Sequence, residues 1–230
     1  MQPTKKSYLK VINLAILLAL SSGVSSSGLA NESITMSASS TINSQSLEIA
    51  QAGTTLYVAK SQWNREQFSL VVKTGHEKQR GEIVIDGASV QAFNLQNQLL
   101  WEDSRVDQKV CLPELFGEFI RAHLEELKQG QSISCVGPII KAKKLAPFKI
   151  YLEKQTNNAL LFKVGPGSIG MWFFMDEVSI SMNTDATQIL SYRGVSPAPK
   201  TLEGKMAYLN IVTPLTEPLD VAELKASILW

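Results

Sequence analysis

Few side chains in this sequence combine type and spacing in a way that could do chemistry. The chain has two histidines, His76 and His123, and two cysteines, Cys111 and Cys135. His123 and Glu126 stand three residues apart, about one helical turn, where a carboxylate can orient an imidazole for proton transfer. A hydrogen-bonded core histidine fits the same spacing. The histidines show neither His-x-His nor His-x-x-x-His spacing, so zinc is not expected. A cysteine nucleophile needs an activating histidine, and nothing in the spacing places either one beside a thiol. No catalytic residue, metal ligand or cofactor is assigned, and the chain reads as a non-enzyme.

Gly165-Pro166-Gly167-Ser168-Ile169-Gly170 matches the pattern G-x-G-x-x-G letter for letter. That fingerprint works only where a helix N-terminus follows to hold a pyrophosphate. Here Met171–Met175 and the alternating Val178, Ile180 and Met182 follow, which is strand pattern. Ser168 also fails as a nucleophile elbow, because Pro166 stands where Gly is required. Pro166 and Gly167 fit a loop equally well.

Cys111 and Cys135 flank the one strong helical pattern. A helix from Pro113 to Leu127 rises about 22 Å at about 1.5 Å per residue. The steps from Lys128 to Cys135 return about 23 Å if extended. A strand folding back along the helix can therefore join the two sulfurs, and this disulfide is the favoured reading. The alternative is two free, buried thiols.

In that helix Leu112, Phe116, Phe119, Ile120, His123, Leu124 and Leu127 share one face. Glu114, Glu118, Arg121, Glu125 and Lys128 take the other, which is expected to meet solvent. Pro113 suits a first turn and Gly130 a stop. The run Met171-Trp172-Phe173-Phe174-Met175 is apolar on both faces of a strand, so it is either a doubly covered central strand or a wall of a hydrophobic cavity. The candidate ligand-lining residues are Phe116, Phe119, Ile120, His123, Leu127, Met171, Phe173 and Met175.

These candidates need elements to position them. Residues 1–30 read as a signal peptide: Lys5, Lys6 and Lys10, then the apolar Val11–Leu20, then small residues ending at Ala30. The apolar run is too short to span a bilayer comfortably, so no membrane span is expected after cleavage. Residues 31–53, rich in Ser and Thr, are expected as a flexible lead-in. Residues 54–218 show short alternating runs around the helix, and roughly nine or ten strands are expected. Residues 219–230 read as a tail able to form a short helix. The expected fold is mostly β (α+β): a strongly curved antiparallel sheet, a half-barrel, with one amphipathic helix on its concave face.

Composition narrows the function. Of 230 residues, 44% are apolar and 19% charged, which excludes disorder throughout. The whole chain has 22 basic and 21 acidic residues, and removing residues 1–30 removes three lysines and no acid. The balance shifts from +1 to −2 (19 basic against 21 acidic), so no attraction for nucleic acid is expected. An exported bacterial protein, periplasmic or secreted, is expected.

Three stretches resemble an uncharacterised group of exported bacterial proteins. Phe116 to Leu127 followed by Gly130 resembles that group's F-x-x-F-[VI]-R-x-H-[LF]-[DE]-E-L-x-x-G helix. Phe162 to Met182 resembles its apolar strand pair. Gln188 to Gly194 resembles its R-L-L-R-Y-E-G strand, with Arg193 where the group tends to have Glu. The resemblance implies a half-barrel similar to the LolA/LolB-type lipoprotein carriers, which hold acyl chains in an apolar concavity. The expected function is binding of an apolar ligand such as a lipid or lipoprotein acyl chain. The alternatives are a periplasmic structural or interaction protein with a filled core and no ligand, and a small outer-membrane β-barrel.

Overall fold

The computed structural model describes residues 34–75, 77–104, 107–168, 177–194, 197, 200–205, 209–211, 224 and 227–228. Apolar residues recur at every second position along most of this length, and strands follow from that period. They are β1 (Ile34–Thr41), β2 (Ser44–Gln51), β3 (Thr54–Trp63), β4 (Gln67–Thr74), β5 (Gly81–Asp86), β6 (Ser89–Phe93) and β7 (Leu99–Asp103). After the helical segment come β8 (Ile133–Ile139), β9 (Lys144–Gln155), β10 (Leu160–Pro166), β11 (Val178–Met182), β12 (Ile189–Gly194) and β13 (Leu209–Ile211). The protein is mostly β, as its alternation implies.

The strands form two antiparallel meanders. One sheet runs β1 to β7 in chain order, and the other runs β8 to β13. The expectation of one continuous curved sheet is thus replaced by two. Among the described residues the strands do not close into a barrel.

The segment expected as a flexible lead-in is a β-hairpin from Ile34 to Gln51. Its apolar set is small and sparse: Met36 and Ala38 on β1, Leu47 and Ile49 on β2, all buried. Polar Ser and Thr fill most of the alternate positions, so the composition resembles a linker while the period is that of a half-buried strand. The loop from β2 to β3 is Ala52-Gly53, both at positive φ, as a two-residue hairpin turn requires. The expected domain start at residue 54 moves back accordingly. The described strands all belong to one compact unit. The expected signal peptide, residues 1–30, lies outside the described residues. In the expected tail, Leu224, Ser227 and Ile228 are helical and buried.

The helical segment links the sheets. A 3-10 turn (Pro113–Leu115) leads into α1 (Phe116–Ala122), and α2 (Leu124–Lys128) follows. His123 interrupts the helix at φ −117° and ψ 20°. Gly130 at φ 81° ends it, the left-handed conformation glycine adopts without strain. Phe116, Phe119, Ile120 and Leu127 join one hydrophobic core with the inner faces of both sheets.

Candidate functional site

The start of the helical segment is fixed from both ends of a long loop. Cys111 and Cys135 form a disulfide, with Cα atoms 5.8 Å apart. Val110 pairs with Val136 in an isolated parallel bridge, where the Cys111 amide donates to the Val136 carbonyl at 2.9 Å. Gly137 allows this approach: a Cβ there would stand 3.0 Å from the Cys111 carbonyl oxygen and collide with the Phe148 ring. The strand does fold back along the helix to close the bond, as the reach of the two segments implies.

Beside this clasp lies a partly open cavity of about 200 Å³. Its walls are mainly apolar. Leu70, Val72 and Ile83 come from the inner face of β4 and β5, Leu112, Pro113 and Phe116 from the helical segment, and Ile139, Ile140 and Phe148 from the second sheet and its first turn. The Phe116 and Phe148 rings meet edge to face at 6.1 Å. The polar members of the wall are Tyr57, Gln79, Glu114 and Lys141.

The Tyr57 hydroxyl donates to Glu114 Oε1. Burial pushes the Glu114 carboxyl above its usual range, and the bond from Tyr57 only partly offsets this. Burial also drives the Tyr57 hydroxyl well up, and the neighbouring Glu114 adds to that. Two side-chain oxygens of this wall are sealed from solvent and have no hydrogen-bond partner among the described residues: Glu114 Oε2 and Gln79 Oε1. Orphaned buried acceptors are uncommon because each forfeits its hydration without return. One turn on, Glu118 is 6% exposed and accepts from Gln45 Nε2 at 3.1 Å. Its carboxyl is raised by burial, against the pull of Gln45 and Arg121. Glu114 and Glu118 therefore do not form the solvent-facing side expected of them. Sheet residues Tyr57 and Gln45 cover that side of the helix.

Of the expected lining residues, Phe116 stands in the cavity wall. Phe119, Ile120 and Leu127 are fully buried in the core and take no part in that wall. His123 is 1% exposed, lies tilted against the Phe119 ring with centroids 4.8 Å apart, and places Nδ1 3.3 Å from Glu126 Oε1. It too lies outside the cavity wall, so the His–Glu pair has no access to a ligand held there. Met171, Phe173 and Met175 lie outside the described residues, as does His76.

Gly165 and Pro166 of the G-x-G-x-x-G pattern are paired strand residues, opposite Lys149 and Phe148. Gly167 donates its amide to Pro147 at 2.8 Å, where a Cβ would meet the Pro147 backbone. The first glycines serve strand packing. Among the described residues no helix is long and apolar enough to cross a membrane, and no group of three or more His, Cys, Asp or Glu could hold a metal.

Sequence reasoning missed Tyr57, Gln79, Glu114 and Ile83 as wall residues. One signal was available: Leu70 and Val72 share a face of β4, and Ile83 follows in register on β5 (Leu70 opposite Ile83). Chemically, the wall can bury apolar surface and make a few hydrogen bonds. Among the described residues its only hydroxyl is the Tyr57 phenol, and none of them brings a thiol or an imidazole. Compared with protein-family models, curated proteins and solved structures, the chain shows no match.

Proposed function

We propose that this protein is an exported binding protein for an apolar ligand such as a lipid or lipoprotein acyl chain, held in the cavity between the helical segment and the two sheets. The observation that carries the reading is the cavity itself, apolar over most of its wall and furnished with a few converging polar groups, the usual make-up of a ligand site. Burying a chain there yields about 0.8 kcal/mol per CH₂. The volume of about 200 Å³ falls below the ~300–1,000 Å³ of sites for drug-sized ligands, so the cavity suits the end of a chain. The disulfide supports an oxidising compartment, where such bonds persist. The resemblance to the LolA/LolB-type carriers points the same way.

One observation favours a second reading, a scaffold with a filled core: Phe119, Ile120 and Leu127 are each 0% exposed and pack into the hydrophobic core under the rest of the helix. Native mass spectrometry and lipid extraction of protein purified from its exported compartment separate the two. Co-purified lipid, with binding of a fluorescent acyl probe that Val72→Trp abolishes while the fold survives, is expected. Apoprotein that ignores the probe would leave the scaffold.

A further inference from the structure

We infer that the cavity takes a single acyl chain that ends in an anionic head, a carboxylate or a phosphate, with the chain end inside and the head at the mouth beside Lys141. The inference rests on the proposed apolar-ligand reading and names the ligand's head and its orientation. Lys141 belongs to the cavity wall and is exposed, so it stands where the partly open cavity meets solvent. It sits on the short 3-10 turn Ile140–Ala142 that joins β8 to β9. Ile139 and Ile140, just ahead of it, are apolar members of the same wall, and Ile140 is buried. The link continues with the exposed Lys143 and, at the start of β9, the exposed Lys144. Among the described residues no carboxylate forms an ion pair with any of these three lysines. The turn Glu77–Gln79 packs against theirs and brings one exposed acid, Glu77, followed by the exposed Arg80.

Charge sorts the possible heads. An ammonium at the mouth is repelled by Lys141 and its two neighbours, and a neutral hydroxyl gains little from them. An anion is attracted there and keeps most of its hydration, because the mouth is open. The rest of the wall sets the orientation. Leu70, Ile83, Phe116 and Phe148 offer only apolar surface, and the acid of the wall, Glu114, has one oxygen sealed and the other engaged by Tyr57. An anionic head driven inward would lose its hydration and meet a second acid. The chain end buries its apolar area there instead. The Lys141 stem can lie along the apolar rim while its ammonium stays in water beside the head.

The test is displacement of a fluorescent acyl probe by decanoate, decyl phosphate, decanol and decylamine, equal in chain length, from delipidated protein purified from its exported compartment. At neutral pH and low salt the two anions are expected to bind about fivefold more tightly than decanol, the scale of one solvent-facing ion pair, and decylamine more weakly than decanol. The preference should shrink at about 0.5 M salt. Lys141→Met keeps the apolar stem and should remove most of the preference with decanol affinity unchanged, whereas Lys141→Arg should keep it. Lys60→Met, at an exposed position of β3, should leave every affinity unchanged. The tighter of the two anions identifies the head. Equal affinities for all four, or an anion preference that survives in Lys141→Met, would overturn the inference and leave the apolar-ligand reading standing. So would phosphatidylglycerol vesicles that bind the protein with the probe still in place, which would assign the lysines to a membrane surface. A probe that does not bind, or that none of the four displaces, would overturn both.

Discussion

The two halves of the helical segment behave differently. In α1 the five residues from Phe116 to Ile120 are all buried, Glu118 included, whereas in α2 only Leu127 is. Glu125 and Lys128 of α2 face solvent. Both halves read from sequence as the same amphipathic stripe. The difference comes from neighbours: α1 is met on one side by Gln45 of β2, with Tyr57 of β3 reaching Glu114 just ahead of it, and on the other by Phe148 of β9. A helix with one neighbour shows a polar face to water. A helix held between two sheets must satisfy that face internally.

The sharpest way to break this comparison is to remove apolar bulk from each half. Phe119→Ala should lower stability by about 3–5 kcal/mol, because the site is fully enclosed and cannot collapse freely. Leu124→Ala, at a half-buried position of α2, should cost about 1 kcal/mol. Urea unfolding midpoints report both, and equal losses would erase the distinction. The disulfide comes next. Its sequence separation of 24 corresponds to about 3 kcal/mol of loop closure in the chain-entropy account. Replacing both cysteines by Ala should lower stability by that amount. It should also raise hydrogen exchange at Leu112–Phe116 more than in α2, which the bond does not touch. A uniform rise across both halves would mean the clasp does not act locally.

What could be read in advance follows the same division. Period-2 alternation is local, so β3 to β13 were legible, as were the limits Pro113 and Gly130. The reach between Cys111 and Cys135 depends only on element lengths, and it too was legible. The hairpin at 34–51 was not, because Met36, Ala38, Leu47 and Ile49 are few against a Ser/Thr background that composition weighs more heavily than period. The cavity wall and the covered polar side of the helical segment were not, because Glu114 and Glu118 find their partners 57 and 73 residues away. No window of the sequence shows that a second sheet will close over a helix's charged side. The break at His123 was also hidden, since the apolar spacing continues through it from Phe119 to Leu127.

The smallest effect tests the buried polar face directly. Glu118 carries a carboxyl raised above its ordinary value of 4.5, chiefly by burial. The folded state therefore binds its proton more tightly than the unfolded state does. Its contribution to stability is fully present below about pH 4.5 and is lost as pH rises through the elevated folded value. Glu118→Gln keeps the shape and an acceptor for Gln45 Nε2, and removes the ionisation. At neutral pH the variant should be more stable than the natural chain by on the order of 1 kcal/mol, and at low pH the two should converge. Glu114 shifts in the same direction, so the variant should flatten the pH dependence only in part. Glu125→Gln in solvent-facing α2 should change stability by no more than about 0.5 kcal/mol. Urea unfolding across a pH series reads all three chains. A Glu118→Gln curve parallel to that of the natural chain would mean that Glu118 is hydrated after all, and that α1 presents the same open polar face as α2.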